Sequence, residues 1–521
     1  MDPMIRRSAW LLLISLSFLA PAMAQTFPTG NTVLQQIWSE GMERSQIEPM
    51  AQVLLDSIGP RLTGTPQQLA AHDWAVDTYT RWGIPARNEA YGTWRGWNRG
   101  VTHVDLISPR VRSLNAMMLA WSPPTNGAVE GPVVTLPDVT DSATFEAWLP
   151  NVRGAFVAVS FPQPTCRPDG NWEEHALPES VEAMREARRL AQANWTARVQ
   201  AGAPTAQLLA QRLEAAGAAG ILTSIWTGGW GAERVFGAQT ETTPMFSLSC
   251  EDYGLVSRLA ENGQGPRLRA NAEAQFLGEM PAKNTIAELR GTELPDEYVV
   301  LSAHFDSWDG GSGATDNGTG TLVMMEAMRI LRQVYPNPRR TILAGLWGGE
   351  EQGLNGSRAF TEDNPNVVAG LQALFNQDNG TGRIASTSMM GFPEAGGFFA
   401  RWFSEMPGEL VGNIDMALPG VPSGGGSDHA AFVCHGAPGF FLSATSFDYS
   451  TYTWHTSIDT LDKISFDDVR RNALTVAMLA YLASEDPQRM PRDRRTVFPV
   501  NPNTGQEMGW PECRPAQRSA P

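Results

Sequence analysis

The sequence predicts an α/β fold with a mostly parallel central sheet, interrupted by a β-rich block. Three observations carry this. From Asn284 onward, short apolar runs alternate with loops and helical patterns, the order expected of βαβ units. Between Leu119 and Phe276 the texture changes to short β-rich runs separated by turns. The 521 residues exceed one ordinary domain and suggest two to four.

Taken in order, residues 1–24 read as a signal peptide. Arg6 and Arg7 form a basic start, Ala9 to Ala20 is largely apolar, and Ala22-Met23-Ala24 gives a small-x-small cleavage pattern before Gln25. The run is too short to span a bilayer, so no membrane span is expected. Residues 25–118 read as the first part of a catalytic domain. Within it the turn-rich stretch Asp56 to Pro66 leads into a helix from Gln67 to Trp82. His72 lies on that helix, where a packing or surface role is expected. Residues 119–276 read as an inserted domain. Strand candidates run from Gly131 to Leu136 and Gly154 to Ser160, a polar helical stretch from Pro178 to Ala215, and a strand from Gly217 to Thr223.

Residues 277–487 read as the second part of the catalytic domain. Strands are expected at Asn284–Leu289, Tyr298–Ala303, Arg340–Trp347 and Leu371–Phe375, with a buried helix over Leu322–Leu331. Residues 488–521, rich in Pro and Arg, are expected to be extended or loosely packed.

Composition narrows the function. Hydrophobic residues make up 42% and charged residues 18%, a globular balance. The formal charge of −16 argues against a nucleic-acid partner, which needs clustered Lys and Arg. The four cysteines, Cys166, Cys250, Cys434 and Cys513, form no Cys-x-x-Cys pair. One or two disulfides fit an exported chain, and the three possible full pairings stay open. Asn-x-Ser/Thr sequons at Asn194, Asn317, Asn355 and Asn379 crowd the loops discussed next. Glycans there would block chemistry, so a non-glycosylating bacterial context is expected, with the periplasm or the medium as destination.

In a parallel sheet, sites form beyond the carboxyl ends of the strands. Four loops in such places carry ligand-type residues: His304 to Asp309 running on to Asp316, then Glu350-Glu351, Asp378, and His455. Imidazole and carboxylate are what zinc takes when thiolates are absent. Two zinc ions can share one carboxylate, and Asp316 is placed to bridge. His304 and Asp378 would complete one metal, and Glu351 and His455 the other. The pair would lower the pKa of a bridging water and polarise a carbonyl, and Glu350 would take the proton. Asp306 would accept the other imidazole N–H of His304. Singly, each residue is equally a turn acid, a helix cap or a packing histidine. Their concentration in four loops of one domain is what argues for a site.

Those stretches, Ala303 to Trp308, Gly313 to Gly318, Trp347 to Gly353 and His455 to Thr460, resemble the co-catalytic zinc exopeptidases that include secreted bacterial aminopeptidases and carboxypeptidase Q. Ile58 to Gly64 resembles the same family near its start. The resemblance implies a three-layer αβα catalytic domain, an inserted protease-associated domain, two Zn²⁺ per chain, the ligand set above and a peptide substrate. It also allows a homodimer. In some relatives a Tyr precedes the last His; here Trp454 stands there, with only an indole N–H to offer. Tyr452 is a substitute candidate. His429, in Gly424 to His429, is a pocket candidate or a structural residue. Trp308, Trp347 and Trp454 either wall a pocket or pack beneath the loops. The resulting expectation is a di-zinc exopeptidase, with either end of the peptide as target. An amidohydrolase acting on a non-peptide amide and a non-catalytic binding protein are the alternatives.

Overall fold

The computed structural model describes residues 27–520, so the signal-peptide expectation lies outside the described residues. The amino-terminal part supplies helices α1 (Thr32–Glu43) and α2 (Pro66–Arg81). Thr65 caps α2 by accepting the Gln68 N–H, and Pro66 sits in its first turn, where a missing N–H costs nothing. Strand β1 (Ala86–Ser108) follows.

The block between Leu119 and Phe276 contributes short parallel strands and helices. Strand β2 (Ala116–Met118) enters it, and β3 (Val129–Thr135), β4 (Phe156–Ala158), β5 (Gly220–Thr223) and β6 (Met245–Leu248) follow. Pairing of β3 with β4, β4 with β5 and β5 with β6 is parallel. The polar helical stretch is helix α3 (Pro178–Gly202) and a shorter helix, Ala206–Ala215. Strand β7 (Arg267–Leu289) then pairs antiparallel with β1 along its length, from Ala86 opposite Ala287 to Ser108 opposite Arg267. One end of β7 pairs with β3 and the other with the catalytic strands, so one 14-stranded sheet runs through both regions.

The catalytic part holds strands β8 (Leu294–His304), β9 (Arg340–Trp347), β10 (Leu371–Asn376), β11 (Ile384–Ser388), β12 (Asp415–Ala417) and β13 (Gly439–Ala444). Its helices are α4 (Thr319–Val334), α5 (Asn355–Asp363), α6 (His429–Val433) and α7 (Phe466–Glu485). Strands β9, β8, β10 and β13 lie side by side and are parallel, with β7 and β11 antiparallel at their flanks. On β8, Val299, Leu301 and Ala303 join one core with α1, α4 and α7. Tyr298 and Val300 join a second core with Phe360 and Phe432, on α5 and α6. This alternation of side chains puts helices on both faces, the three-layer arrangement. Helix α4 is buried nearly all round, as its largely apolar circumference predicts.

The carboxyl-terminal tail is extended but not loose. Cys434 bonds to Cys513, and Cys166 to Cys250. Trp510 Nε1–H donates to the Val433 carbonyl (3.1 Å), Gln517 N–H to Asn355 Oδ1 (3.0 Å), and Thr93 N–H to the Arg518 carbonyl (2.9 Å). Among the described residues, no helix is long and apolar enough to cross a membrane.

Candidate active site

Each of the four parallel strands delivers site residues at its carboxyl end. His304 is the last residue of β8; Glu350 and Glu351 follow β9, Asp378 follows β10, and His455 lies in the loop after β13. Chain order runs from β8 outward to β9 and then back across to β10, so the strand order reverses here. Open parallel sheets form their crevice at such a reversal.

The side chains converge closely. His304 Nε2 lies 2.9 Å from Asp378 Oδ1 and 3.3 Å from Asp316 Oδ1. His455 Nε2 lies 2.9 Å from Glu351 Oε2 and 3.2 Å from Asp316 Oδ2. Asp316 thus offers one oxygen to each imidazole. Its position is set by Asp459, whose carboxylate accepts the Thr315 N–H (2.9 Å) and the Asp316 N–H (3.1 Å). The Asp316–Asn317 peptide is cis, and the Asn317 amide donates to the Gln377 carbonyl (2.9 Å), tying this loop to the one carrying Asp378. Asn317 and Asn355 are buried and hydrogen-bonded, so neither is open to a glycan.

Asp306 works differently from expectation. The Nδ1 of His304 is met by the backbone carbonyl of Asp306 at 3.0 Å, while the Asp306 carboxylate stands 3.8 Å away. That carboxylate accepts the N–H groups of Glu350 (3.1 Å) and Glu351 (3.2 Å). The glycine-rich turn after β9 leaves those amides without a backbone acceptor, and a charged acceptor satisfies both. One residue therefore orients the imidazole through its main chain and the Glu-Glu pair through its side chain.

The electrostatics point to bound cations. Asp316, Glu350, Glu351 and Asp378 face two imidazoles at the base of the cleft. Burial acts first on Glu350 and raises its pKa well above the carboxylate range; His304 pulls it down, and Asp378, Glu351 and Asp428 push it further up. Burial likewise pushes Glu351 up to about 7, with Asp316 adding to it. Burial opposes charge on His455, yet Glu351 and Asp316 outweigh it and hold the ring at about 10. Asp316 Oδ2, Glu351 Oε1 and His455 Nδ1 are buried and make no hydrogen bond. A surplus of buried acid with orphaned oxygens, and no thiolate, is the donor set of a site for divalent metal.

The cavity at this centre measures about 450 Å³ and is lined by Asp316, Glu350, Glu351, Asp378, Tyr449 and Trp454, among others. Trp454 is stacked on His455 (centroids 4.2 Å) and carries the Arg234 guanidinium on its ring (4.5 Å). The other aromatic candidates lie elsewhere. Trp347 is fully buried and donates to Ser302 Oγ at 2.8 Å. Trp308 packs among Trp121, Phe236 and His455. Tyr452 packs against Gly229 of the inserted block and is not among the residues lining the cavity. His429 begins a helix that buries its ring against Phe441 (5.1 Å), so it too stays out of the lining. His72 is fully buried, 2.8 Å from Thr285 Oγ1, as a packing histidine.

Sequence reasoning missed four contributors. Arg61 is fully buried and donates to the carbonyls of Phe305 (2.7 Å), Gly59 (3.1 Å), Ser312 (2.7 Å) and Gly313 (2.9 Å), locking the loop between His304 and Asp316. Its charge within a Gly-Pro-Arg turn was the available signal. Tyr449 lines the cavity, and burial with the carboxylates of Asp316, Asp378 and Glu351 keeps its phenol protonated. Asp428 is buried with both oxygens unpaired and is pushed up to about 7, chiefly by burial. The inserted block reaches the centre as well: Val235 N–H donates to the His455 carbonyl (2.8 Å), and Phe236 meets the His455 ring edge-on (5.3 Å). His455 itself has φ 58°, a left-handed conformation rare for a non-glycine residue and held here by these contacts.

The chain thus combines a three-layer αβα sheet with an imidazole–carboxylate cluster of metal-binding type at its strand reversal. Residues 284–480 match the model of peptidase family M28. Carboxypeptidase Q of Mus musculus is 24% identical over 84% of this chain and 86% of its own length. That of Xenopus laevis is 29% identical over 48% of this chain, and the match spans about half of that relative, 52%. Among solved structures, a peptidase M28 precursor from Shewanella amazonensis superposes with TM-score 0.64 at 21% identity, covering 89% of this chain and 99% of its own. A zinc aminopeptidase from Bacillus subtilis gives 0.55 at 17% identity, covering 86% and 96%. At these identities the structural likeness speaks for the fold.

Proposed function

We propose that the protein is an exported di-zinc exopeptidase that hydrolyses terminal peptide bonds. The observation that carries it is Asp316, set between His304 and His455 with one carboxylate oxygen toward each. His304 and Asp378 would hold one ion, Glu351 and His455 the other, with Asp316 shared. When bound, such a pair supplies Lewis acidity to a carbonyl and lowers the pKa of water.

The chain's own residues do the rest. Glu350 lies beside Glu351 but pairs with neither imidazole, which leaves its carboxylate to accept a proton from water and pass it to the departing amine. Asp306 fixes where both glutamates stand by holding their amides. Tyr449, kept protonated, is the O–H donor for the oxygen that gains charge, the task for which Trp454 has only an indole N–H. The walls contributed by Trp454 and the Gly424 loop limit the space to something the size of a short peptide end. The insert serves as a buttress for His455, and the two disulfides suit an oxidising destination.

The test pairs metal content with activity. The protein from residue 25 onward is expected to hold two zinc ions and to cleave short peptides, with chelation abolishing cleavage. Glu350→Gln should keep its metal and lose activity by roughly 10²- to 10⁴-fold. Full activity in Glu350→Gln would overturn the assignment of the base; metal without peptide cleavage would move the reading to a non-peptide amide.

A further inference from the structure

The ligand end of the cleft is acidic, and its other end adds two arginines to the acids Glu362 and Glu512. Arg358, on α5, and Arg514, in the tail, both line the cavity that holds Asp316, Glu350 and Asp378. The same two side chains line a second cavity of about 270 Å³ beside Cys434 and Cys513, so they stand where the two spaces meet. Among the described residues neither guanidinium is in an ion pair or donates a hydrogen bond. The acid nearest in sequence to Arg358, Glu362, is already engaged: it accepts the Ala516 N–H (2.7 Å) and an Arg518 N–H (2.8 Å).

Among the described residues Arg514 forms no ion pair, although Glu512 lines the same cavity. Arg514 is carried there by the Cys434–Cys513 bond on one side and the Ala516 contact on the other. Burial and then the like charge of Arg514 lower the pKa of Arg358, against an upward pull from Asp428, Glu350 and Glu362. An anion between two such forks offsets their like charge, and a carboxylate matches guanidinium geometry with two parallel hydrogen bonds. Both arginines lie on the wall of the cavity that Glu350 and Glu351 also line.

We propose that Arg358 and Arg514 form a carboxylate subsite, which binds the carboxylate of the peptide being cleaved and sets which bond faces Glu350. The proposal rests on the exopeptidase reading for its substrate, and it makes the enzyme one that prefers ends bearing a free carboxylate. The carboxylate can be the substrate's C-terminus or an acidic side chain near it, and the two are separable.

The experiment compares tripeptides with a free C-terminus, the same peptides amidated, and versions with a terminal Glu replaced by Gln. It uses the wild type and the Arg358→Gln/Arg514→Gln double variant, both metal-loaded. In the wild type, loss of the recognised carboxylate should raise KM about ten- to a hundredfold. In the double variant that ratio should collapse to about one, with the loss carried by KM, and Arg514→Lys should restore part of it. The modification whose effect vanishes identifies the source. Equal ratios in wild type and double variant overturn the proposal. If the wild type cleaves no peptide, the exopeptidase reading falls instead, and the same comparison by calorimetric Kd decides the arginine pair independently.

Discussion

Asp306 shows how much a single residue can coordinate and how little of that a sequence reveals. Its place two residues past His304 pointed to the imidazole, and the imidazole is indeed its partner, but through the carbonyl. Which atom of a residue makes a contact depends on a loop's path, which spacing alone does not encode. The ligand-type residues were legible because zinc chemistry restricts them to a few kinds and parallel sheets restrict them to strand ends. Tyr449 was not legible, since its place follows from how a turn folds after β13. Tyr449→Phe should lower kcat by about tenfold or more with metal content intact; an unchanged kcat would remove it from the chemistry. His72 gives a second test at this scale. Burial lowers its pKa to about 3 from 6.5, so the unfolded chain takes up a proton that the folded chain refuses. Its contribution to stability is full above pH 6.5 and is lost as pH falls from 6.5 toward 3. Between pH 7 and 5 the wild type should lose about 2 kcal/mol more stability than His72→Gln, as read from urea midpoints at each pH.

At the scale of elements, the catalytic strands were legible because buried parallel strands are apolar runs bounded by loops, as in Val299 to Ala303. The tail was not. Its many Pro and Arg residues suggest loose chain, yet a disulfide and contacts from Trp510 to Arg518 hold it across the catalytic part. These fastenings pair residues far apart in sequence, and no local pattern announces them. The Cys434–Cys513 bond closes a loop 79 residues long. Replacing both cysteines by serine should cost about 2–4 kcal/mol in denaturant unfolding. A variant as stable as the wild type would show that the tail's other contacts suffice. The β1–β7 ribbon is a similar case: its turns and polar residues read as boundaries between domains, whereas the strands run on through 23 residues each and join both regions in one sheet.

For the whole molecule, the main surprise is that the inserted block touches the site. Phe236 and Val235 brace His455, the ligand candidate with the strained backbone. Removing such support around a metal-binding imidazole generally weakens binding ten- to a hundredfold. Phe236→Ala should therefore bind zinc about tenfold or more weakly, measured by competition with a chromogenic chelator. Unaltered affinity would mean that the β13 loop alone holds His455 in place.

The span of this site along the chain has a bearing on how such a molecule is made. Its parts come from Arg61, from Val235 and Phe236, from His304 through Asp378, and from His455 and Asp459. During synthesis, an emerging polypeptide lacks the second imidazole until it has been extended as far as His455, and lacks the brace for that imidazole until the block holding Val235 and Phe236 has folded. The cluster, and with it the activity proposed for it, is thus incomplete in the nascent chain until its last contributors have been made and folded.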